Sequence, residues 1–289
     1  MSTIAARVRP ARPRAGRRPG IQLPFLAIPL LFFAAFFVVP VVAVGALAIS
    51  EEGVGGVLRA ATDDLFLLAV RRTVQIAVIV TALCWAIGLA YSLALVMSGR
   101  VLRTILWAVL IGSLTISLVA RTYGWILLLR PGGLVTGLVS AIDPGAERVQ
   151  ILGTTTAVYI GMVHVMLPFM VLPLYGAMRA IDPSHIRAAH SLGSTPGRIL
   201  RRVVLPQLRT GTIAGVTLVF LMSFGFFVTP ALLGGPSDFM VSTLVQLYFA
   251  RQFDFGAASA VATWVVLGVM LVYLVVDQVF DISKHWGRA

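Results

Sequence analysis

The residues that could perform chemistry in this 289-residue chain are few and scattered. The four histidines, His164, His185, His190 and His285, form no HExxH pair, and the single cysteine, Cys84, lies in an apolar stretch. Zinc sites need clustered cysteine or histidine ligands, and an intramembrane aspartyl protease needs paired acids within apolar segments, where this sequence has none. We therefore predict no catalytic residue and no metal site in this chain.

The single lysine, Lys284, lies near the C-terminus. A phosphate-binding loop of the form GxxxxGK[ST] needs its lysine directly after a glycine, so this chain contains no such loop. We expect no cofactor to bind this chain. If the protein moves a solute against a gradient with ATP, then ATP and Mg must bind a partner.

The composition indicates an all-α integral membrane protein. Hydrophobic residues make up 58% of the chain and charged residues 12%, whereas a soluble domain is about half apolar and a quarter charged. Six apolar stretches each approach the roughly 20 residues that a helix needs to cross a bilayer. The first is too long for the apolar core of a signal peptide, so we interpret it as an uncleaved span. The predicted spans cover about 23–49, 70–97, 104–129, 154–178, 211–233 and 255–276.

The basic residues predict the orientation of these spans. The N-terminal tail, 98–103, 179–210 and the C-terminal end hold sixteen arginines and lysines, whereas the alternate connecting segments hold six. Cytoplasmic segments of membrane proteins are enriched in these residues, so both termini are predicted to be cytoplasmic. Residues 1–20 are predicted to form a disordered basic tail, and residues 21–289 a single transmembrane domain. The basic residues behind the net charge of +12 thus lie mainly in segments at the cytoplasmic membrane face. We therefore expect no nucleic acid partner.

Residues 182–207, between the fourth and fifth predicted spans, have the pattern of two short helices joined by a turn. The residues that mark helix ends are Asp182 and Pro183 at the first start, Gly193 at the first end, Ser194 or Thr195 before Pro196 at the second start, and Pro206 at the second end. These are the residue types preferred at such positions. An amphipathic helix lying on anionic lipid is the alternative, but it does not require these turn residues. We predict a folded cytoplasmic hairpin on which a partner docks.

Arg121 is the charge predicted to lie deepest in a span, about 12 Å from Leu129 at 1.5 Å per residue. An arginine at depth costs about 2.5–3.5 kcal/mol on insertion scales. Its side chain either extends to the membrane surface or bonds the carbonyls of a broken helix, or it lines a translocation path. Tyr123 and Trp125 are either interface anchors or an aromatic surface for a cationic solute. His164 is interpreted as a hydrogen-bonded packing residue.

The outer end of the fifth predicted span contains Pro230, which should break or kink the helix because proline lacks the backbone N–H. The kink either precedes a tight turn or forms a gate or pore lining, where water can satisfy the freed backbone groups. The candidate residues of a translocation path are Arg121, Tyr123, Trp125, Phe227, Thr229 and Pro230.

The segment Arg187–Pro206, RAAHSLGSTPGRILRRVVLP, resembles the EAA motif of ABC-importer permeases. Arg187 stands where the motif has glutamate. In that family the loop forms coupling helices that sit in a groove of a cytoplasmic ATPase, and the resemblance implies the same here. The residues expected to contact the ATPase are Arg187, Ala188, Ala189, Leu192, Gly193, Leu205 and Pro206.

Three further stretches resemble the spermidine/putrescine-type branch of these permeases: VARTYGWILLL (119–129), HVMLPFMVLPLYGAM (164–178) and GFFVTPALLGGP (225–236). The resemblance implies the six-helix MetI-like fold, two ATPase copies, a second permease subunit, an extracytoplasmic solute-binding protein and the bacterial inner membrane.

The resemblance also implies a non-catalytic permease for a small solute. The expected solute is a polyamine such as spermidine or putrescine, and opines, phosphonates or ferric iron are the alternatives. A secondary transporter without an ATPase is disfavoured by the scarcity of acids at mid-membrane.

Overall fold

The computed structural model describes residues 23–142 and 150–280, and the regular elements in these ranges are helices. The predicted tail at 1–20 and the basic residues Lys284 and Arg288 lie outside the described residues.

The chain divides into two units, residues 1–43 and residues 44–289. In the first unit, α1 (Leu23–Phe33) continues through a π-helical segment (Ala34–Val38) into the start of α2 (Val39–Ala60). The side chains described there are exposed, as lipid-facing apolar side chains would be. In the second unit α2 is interrupted at Gly53, whose φ is +68°. Because α2 reaches Ala60, helical structure extends beyond residue 49, where the first predicted span ends.

The second unit contains the remaining helices in chain order. They are α3 (Asp64–Met97), α4 (Arg100–Thr115), α5 (Leu118–Leu129), α6 (Leu134–Ile142), α7 (Thr155–Arg179), α8 (Pro183–Ser191), α9 (Pro196–Ile199), a π-helical segment (Leu200–Val204), α10 (Leu205–Gln207), α11 (Arg209–Phe224), α12 (Val228–Leu233), α13 (Val241–Gln246), a second π-helical segment of this unit (Leu247–Gln252) and α14 (Phe255–Phe280).

The core of the second unit lies where α3, α7 and α11 pack against one another. Its fully buried side chains include Ile76, Val80, Cys84, Met162, Met166, Met170 and Leu174. Met170 of α7 lies between a glycine of α3 and a glycine of α11. A Cβ atom on Gly88 would lie 2.9 Å from Met170 Cγ, and one on Gly215 would lie 2.7 Å from Met170 Sδ. Small residues thus let the three helices approach closely around one large side chain.

The described residues contain between four and six candidate spans, a range that includes the predicted six. Four helices are long and apolar enough to cross a membrane, and two bent helix pairs raise the total to six if each pair is one span. The four helices are Ala27–Ala60, Asp64–Met97, Thr155–Arg179 and Phe255–Gln278. The bent pairs are Arg100–Thr115 with Leu118–Leu138, at 107°, and Pro196–Gln207 with Arg209–Phe224, at 67°.

Two predicted spans are not continuous helices. The third, predicted at 104–129, is divided where Ile116 and Ser117 adopt extended ψ values of 135° and 137°. Neither residue is glycine or proline, the two types that usually interrupt a helix. The fifth, predicted at 211–233, ends at Phe224, and residues 225–227 separate it from α12.

The prediction that Pro230 breaks the fifth span is wrong about the position of the break. The helix has already ended at Phe224, and Pro230 is the third residue of α12. In the first turn of a helix the missing N–H of proline costs nothing, because that N–H has no intrahelical partner. Pro230 is therefore accommodated by the break rather than causing it.

Asp238 anchors the segment after α12 to the start of α7. Its side chain is 3% exposed. It accepts a hydrogen bond from Thr155 Oγ1 at 2.5 Å and another from the backbone N–H of Gly235 at 2.9 Å. This fixes the end of α12 relative to α7.

Candidate functional site

The first arm of the predicted hairpin is α8, and both of its ends match the sequence prediction. Asp182 Oδ1 accepts a hydrogen bond from the backbone N–H of Ser184 at 2.8 Å, which lowers the pKa of Asp182 below its ordinary value. At the other end Gly193 has φ +73° and donates its N–H to His190 O, while Ser194 donates to Ala189 O. This pair of hydrogen bonds is the Schellman ending, which favours glycine at the left-handed position.

The second arm begins after Thr195, whose carbonyl accepts from the N–H of Ile199 at 3.0 Å. The helical path then runs through Leu200–Val204 to Gln207, one residue beyond the predicted end at Pro206. Gln207 and His185 form a side-chain hydrogen bond of 3.2 Å between the arms. The two arms are therefore joined at the turn and at the open end.

The hairpin exposes both charge and an apolar tip. Leu192 is 85% exposed at the turn, directly before Gly193. Arg187 and Ala188 are also exposed, while Ala189 is half-buried. Leu205 and Pro206 lie at the far end of the second arm, so the structure does not bring all the predicted contact residues to one point.

An apolar groove of about 770 Å³ separates the hairpin from the ends of α3 and α7. Its walls include Ile186 of α8, Leu200 and Val204 of the second arm, and Met97 and Met178 of the spans. The apolar side chains Ile199, Leu200 and Val204 of the second arm thus face the spans, and its arginines are exposed.

Arg121 lies in the first turn of α5, directly after the break at Ile116–Ser117. Its Nη1 lies 3.4 Å from Ser113 Oγ of α4, a long hydrogen bond. Its Nε is buried and has no hydrogen-bond partner among the described residues. The side chain therefore turns back across the break and reaches a hydroxyl rather than backbone carbonyls.

Trp125 and His164 connect α5 to α7. The indole N–H donates to His164 Nδ1 at 3.1 Å, and the two rings meet nearly edge to face. Because an indole N–H can only donate, Nδ1 must accept, and the imidazole proton lies on Nε2. The interpretation of His164 as a hydrogen-bonded packing residue is confirmed. His164 also lines, with Ser113 and Tyr91, a cavity of about 320 Å³ between α3, α4 and α7.

Thr122 and Thr229 join the two broken spans. Their hydroxyl oxygens are 3.3 Å apart, and both side chains are fully buried. Thr122 donates its proton to Leu118 O at 2.9 Å, so the Thr229 hydroxyl must be the donor between the two threonines. The start of α12 is thereby held against the start of α5.

Gly161 of α7 makes room for α12. A Cβ atom at Gly161 would lie 2.6 Å from Thr229 Cγ2 and 2.5 Å from Leu233 Cδ1, both far below normal contact. Of the predicted path residues, Arg121, Trp125, Thr229 and the buried Pro230 belong to this region. We call it the broken-helix cluster: Ser113, Arg121, Thr122, Trp125, Gly161, His164, Thr229 and Pro230.

Two predicted path residues do not join the cluster. Tyr123 is 55% exposed on the surface of α5, and Phe227 is a half-buried residue of the link before α12. Sequence reasoning missed Ser113, Thr122 and Gly161, because small and hydroxyl residues are ordinary in membrane helices and their partners are distant in sequence.

A helical membrane protein whose broken spans meet within the bundle, with a basic hairpin between two spans, has the architecture of a transport permease. Residues 86–286 match the family described as binding-protein-dependent transport system inner membrane component, and the chain belongs to this family.

Two curated relatives are spermidine/putrescine transport system permease proteins named PotB. The protein of Escherichia coli (strain K12) is 29% identical over 211 residues, which cover 72% of this chain and 77% of the relative. The protein of Haemophilus influenzae (strain ATCC 51907 / DSM 11121 / KW20 / Rd) is 32% identical over 214 residues, covering 72% and 74%.

Solved structures share the fold. The bacterial alginate ABC transporter, in complex with an alginate pentasaccharide-bound periplasmic protein, contains a chain with a TM-score of 0.77 at 16% identity, covering 89% of this chain and 92% of that one. The inward-facing MetNI methionine ABC transporter gives 0.57 at 18% identity, covering 74% and 94%. The prediction of a MetI-like permease fold is confirmed.

Proposed function

We propose that this chain is a transmembrane subunit of an ATP-driven importer, which moves a polyamine such as spermidine or putrescine into the cytoplasm. The family membership and the named function of the PotB relatives support this proposal. The observation that carries it is the hairpin 182–207, two helical arms joined by a turn at Gly193, with an apolar tip.

The hairpin has the properties of a docking element. Leu192 is 85% exposed, and a large apolar side chain at the tip of a charged element is a typical interface anchor. Arg187, Arg198, Arg201 and Arg202 of the hairpin are exposed, so the matching groove of the ATPase should be acidic. Arg187 stands in place of the motif glutamate. We therefore expect an acidic residue of the ATPase to pair with Arg187.

Two copies of a cytoplasmic ATPase would bind ATP and Mg, since this chain has no phosphate-binding loop. A second permease subunit would complete the pathway, and an extracytoplasmic solute-binding protein would deliver the solute. ATP-driven closure of the ATPases would move the hairpins and shift the permease pair between outward-open and inward-open states. Both termini of this chain and its hairpin would then lie in the cytoplasm.

Replacing Gly193 with valine tests the proposed coupling. A β-branched residue at φ +73° is strained, so the turn should distort and ATP-dependent uptake should fall strongly in cells or liposomes carrying the whole importer. The ATPase should also co-purify poorly with the variant.

Gly176→Val is the matched control. Gly176 lies in α7, outside the hairpin, and has open space around its Cβ position, so this variant should keep uptake and ATPase binding. If Gly193→Val were inserted normally and retained both properties, the hairpin would not be the coupling element. Solute flux through this chain alone, without any ATPase, would instead support a secondary transporter.

A further inference from the structure

We propose that Arg121 is an electrostatic gate, meaning a fixed positive charge that keeps cations from passing through the permease while it is closed. The proposal takes its polyamine cargo from the proposed function, but the gate itself applies to inorganic cations as well. It also gives a reason for an arginine in a permease whose solute would be positively charged.

The first observation is that the charge of Arg121 is not neutralised nearby. The guanidinium contacts Ser113, a neutral hydroxyl, and its Nε is buried without a partner among the described residues. The acidic residues described lie near the Gly53 kink, at helix starts, in connecting segments or near the end of α14. A charge in a low-dielectric setting without a counter-ion acts over a longer range than one in water.

The second observation is that the surrounding dipoles have the same sign. Arg121 follows the break by four residues, and the N–H groups of Leu118, Val119 and Ala120 have no partner in the described part of the chain. The start of a helix carries partial positive charge. His164 also presents an N–H at Nε2, because its Nδ1 is occupied by Trp125.

The third observation is that a cavity lies beside Ser113, the residue that the Arg121 guanidinium contacts. Ser113 and His164 both line the cavity of about 320 Å³ between α3, α4 and α7. Non-helical backbone at membrane depth is tolerated where it is packed within protein or lines such a cavity. The Thr122–Thr229 hydrogen bond joins the second broken span to the start of α5, the helix that carries Arg121.

A positive barrier opposes each cation in proportion to its charge. An importer that accumulates a multiply charged cation must, while it is closed, resist leakage of that cation in both directions. A fixed arginine would repel spermidine more strongly than a monovalent ion. When the path opens, either α5 must carry Arg121 away from the path, or a carboxylate of a partner subunit must come next to Arg121.

The test measures leakage from liposomes that contain the importer purified through a tag on this chain, with no ATP present. The liposomes are loaded with rubidium ions and spermidine. Arg121→Gln should raise the release of both by about tenfold or more, whereas Arg121→Lys should remain tight. Arg130→Gln is the matched control, because it removes an exposed arginine from the end of the same helix and should not increase leakage.

Charge rescue separates the gate from a packing effect. Arg121→Cys should leak, a cationic methanethiosulfonate reagent should restore the barrier, and a neutral reagent of similar size should not. Cys84 is fully buried, so reagent-treated wild-type importer serves as the reference.

Unchanged rubidium leakage in Arg121→Gln, or equal rescue by the neutral reagent, would overturn the gate. A third result would also overturn the gate: the wild-type importer takes up methylphosphonate and the Arg121→Gln importer does not. Arg121 would then bind an anionic solute. If the wild-type importer fails to accumulate spermidine with ATP, the proposed cargo fails while the rubidium result still decides on the gate.

Discussion

The indole Nε1 of Trp125 lies 3.1 Å from Nδ1 of His164, and this hydrogen bond connects a broken span to an unbroken one. Trp125 lies on α5, whose start is separated from α4 by the break, whereas His164 lies near the middle of α7. The contact therefore helps fix the position of the segment that carries Arg121.

A double-mutant cycle should measure this contact. His164→Leu leaves the indole N–H without an acceptor, whereas Trp125→Phe with His164→Leu removes both partners. Hydrogen bonds between membrane helices contribute about 0.6 kcal/mol on average and at most about 1.7 kcal/mol, so we expect a coupling energy in this range. Thermal unfolding of the four proteins in detergent gives the value. Strictly additive effects would show that the hydrogen bond does not stabilise the fold.

The ends of α8 were predictable from the sequence because local residues decide them. Asp182, Pro183 and Gly193 each carry a preference for one position at a helix end, and the structure uses all three in those positions. The length of the apolar stretches likewise predicted six spans. Both kinds of signal depend on neighbouring residues and not on tertiary contacts.

The break between α4 and α5 could not be predicted in this way. Ile116 and Ser117 are neither glycine nor proline, and hydropathy is continuous across them. The contacts that accompany the break, Arg121 with Ser113 and Thr122 with Thr229, depend on tertiary packing, and Thr229 is 107 residues away from Thr122. A pattern read along one segment contains no information about such partners.

Gly161→Val should prevent α12 from packing on α7. The new side chain would meet Leu233 and Thr229 at distances that no real Cβ contact shows. Overpacking of this kind typically costs about 1–3 kcal/mol, so we expect a lower melting temperature in detergent and reduced uptake. Gly176→Val on the same helix is the control, because its Cβ position faces open space.

Compensation provides a second check of the same contact. Leu233→Ala removes the nearest atoms and should restore part of the stability of Gly161→Val. If the double variant were as unstable as the two effects added together, the clash with Leu233 would not be the cause.

Gly211→Ala should destabilise the bundle more than Gly88→Ala, although both glycines lie where helices cross. The Cβ atom at Gly211 would lie 2.7 Å from the backbone carbonyl oxygen of Pro173, which cannot move by rotating a side chain. At Gly88 the closest atom is Cγ of Met170 at 2.9 Å, and methionine adapts easily. We expect about 1–3 kcal/mol for Gly211→Ala and less for Gly88→Ala. Thermal unfolding of both variants in the same detergent ranks them, and the reverse order would contradict the packing described for α7 and α11.

The first arm of the hairpin should lose stability in acid. The hydrogen bond from Ser184 lowers the pKa of Asp182 in the folded state, so the ionised cap favours the folded hairpin above the ordinary aspartate pKa of about 3.9. This contribution disappears as the pH falls through the lowered folded-state pKa. Hydrogen-exchange protection of residues 184–190, corrected for intrinsic rates, should therefore be lower at pH 3 than at pH 6. Asp182→Asn retains an acceptor for the cap but does not titrate, so its protection should be the same at both pH values. A pH dependence in Asp182→Asn equal to that of the wild type would assign the effect to another group.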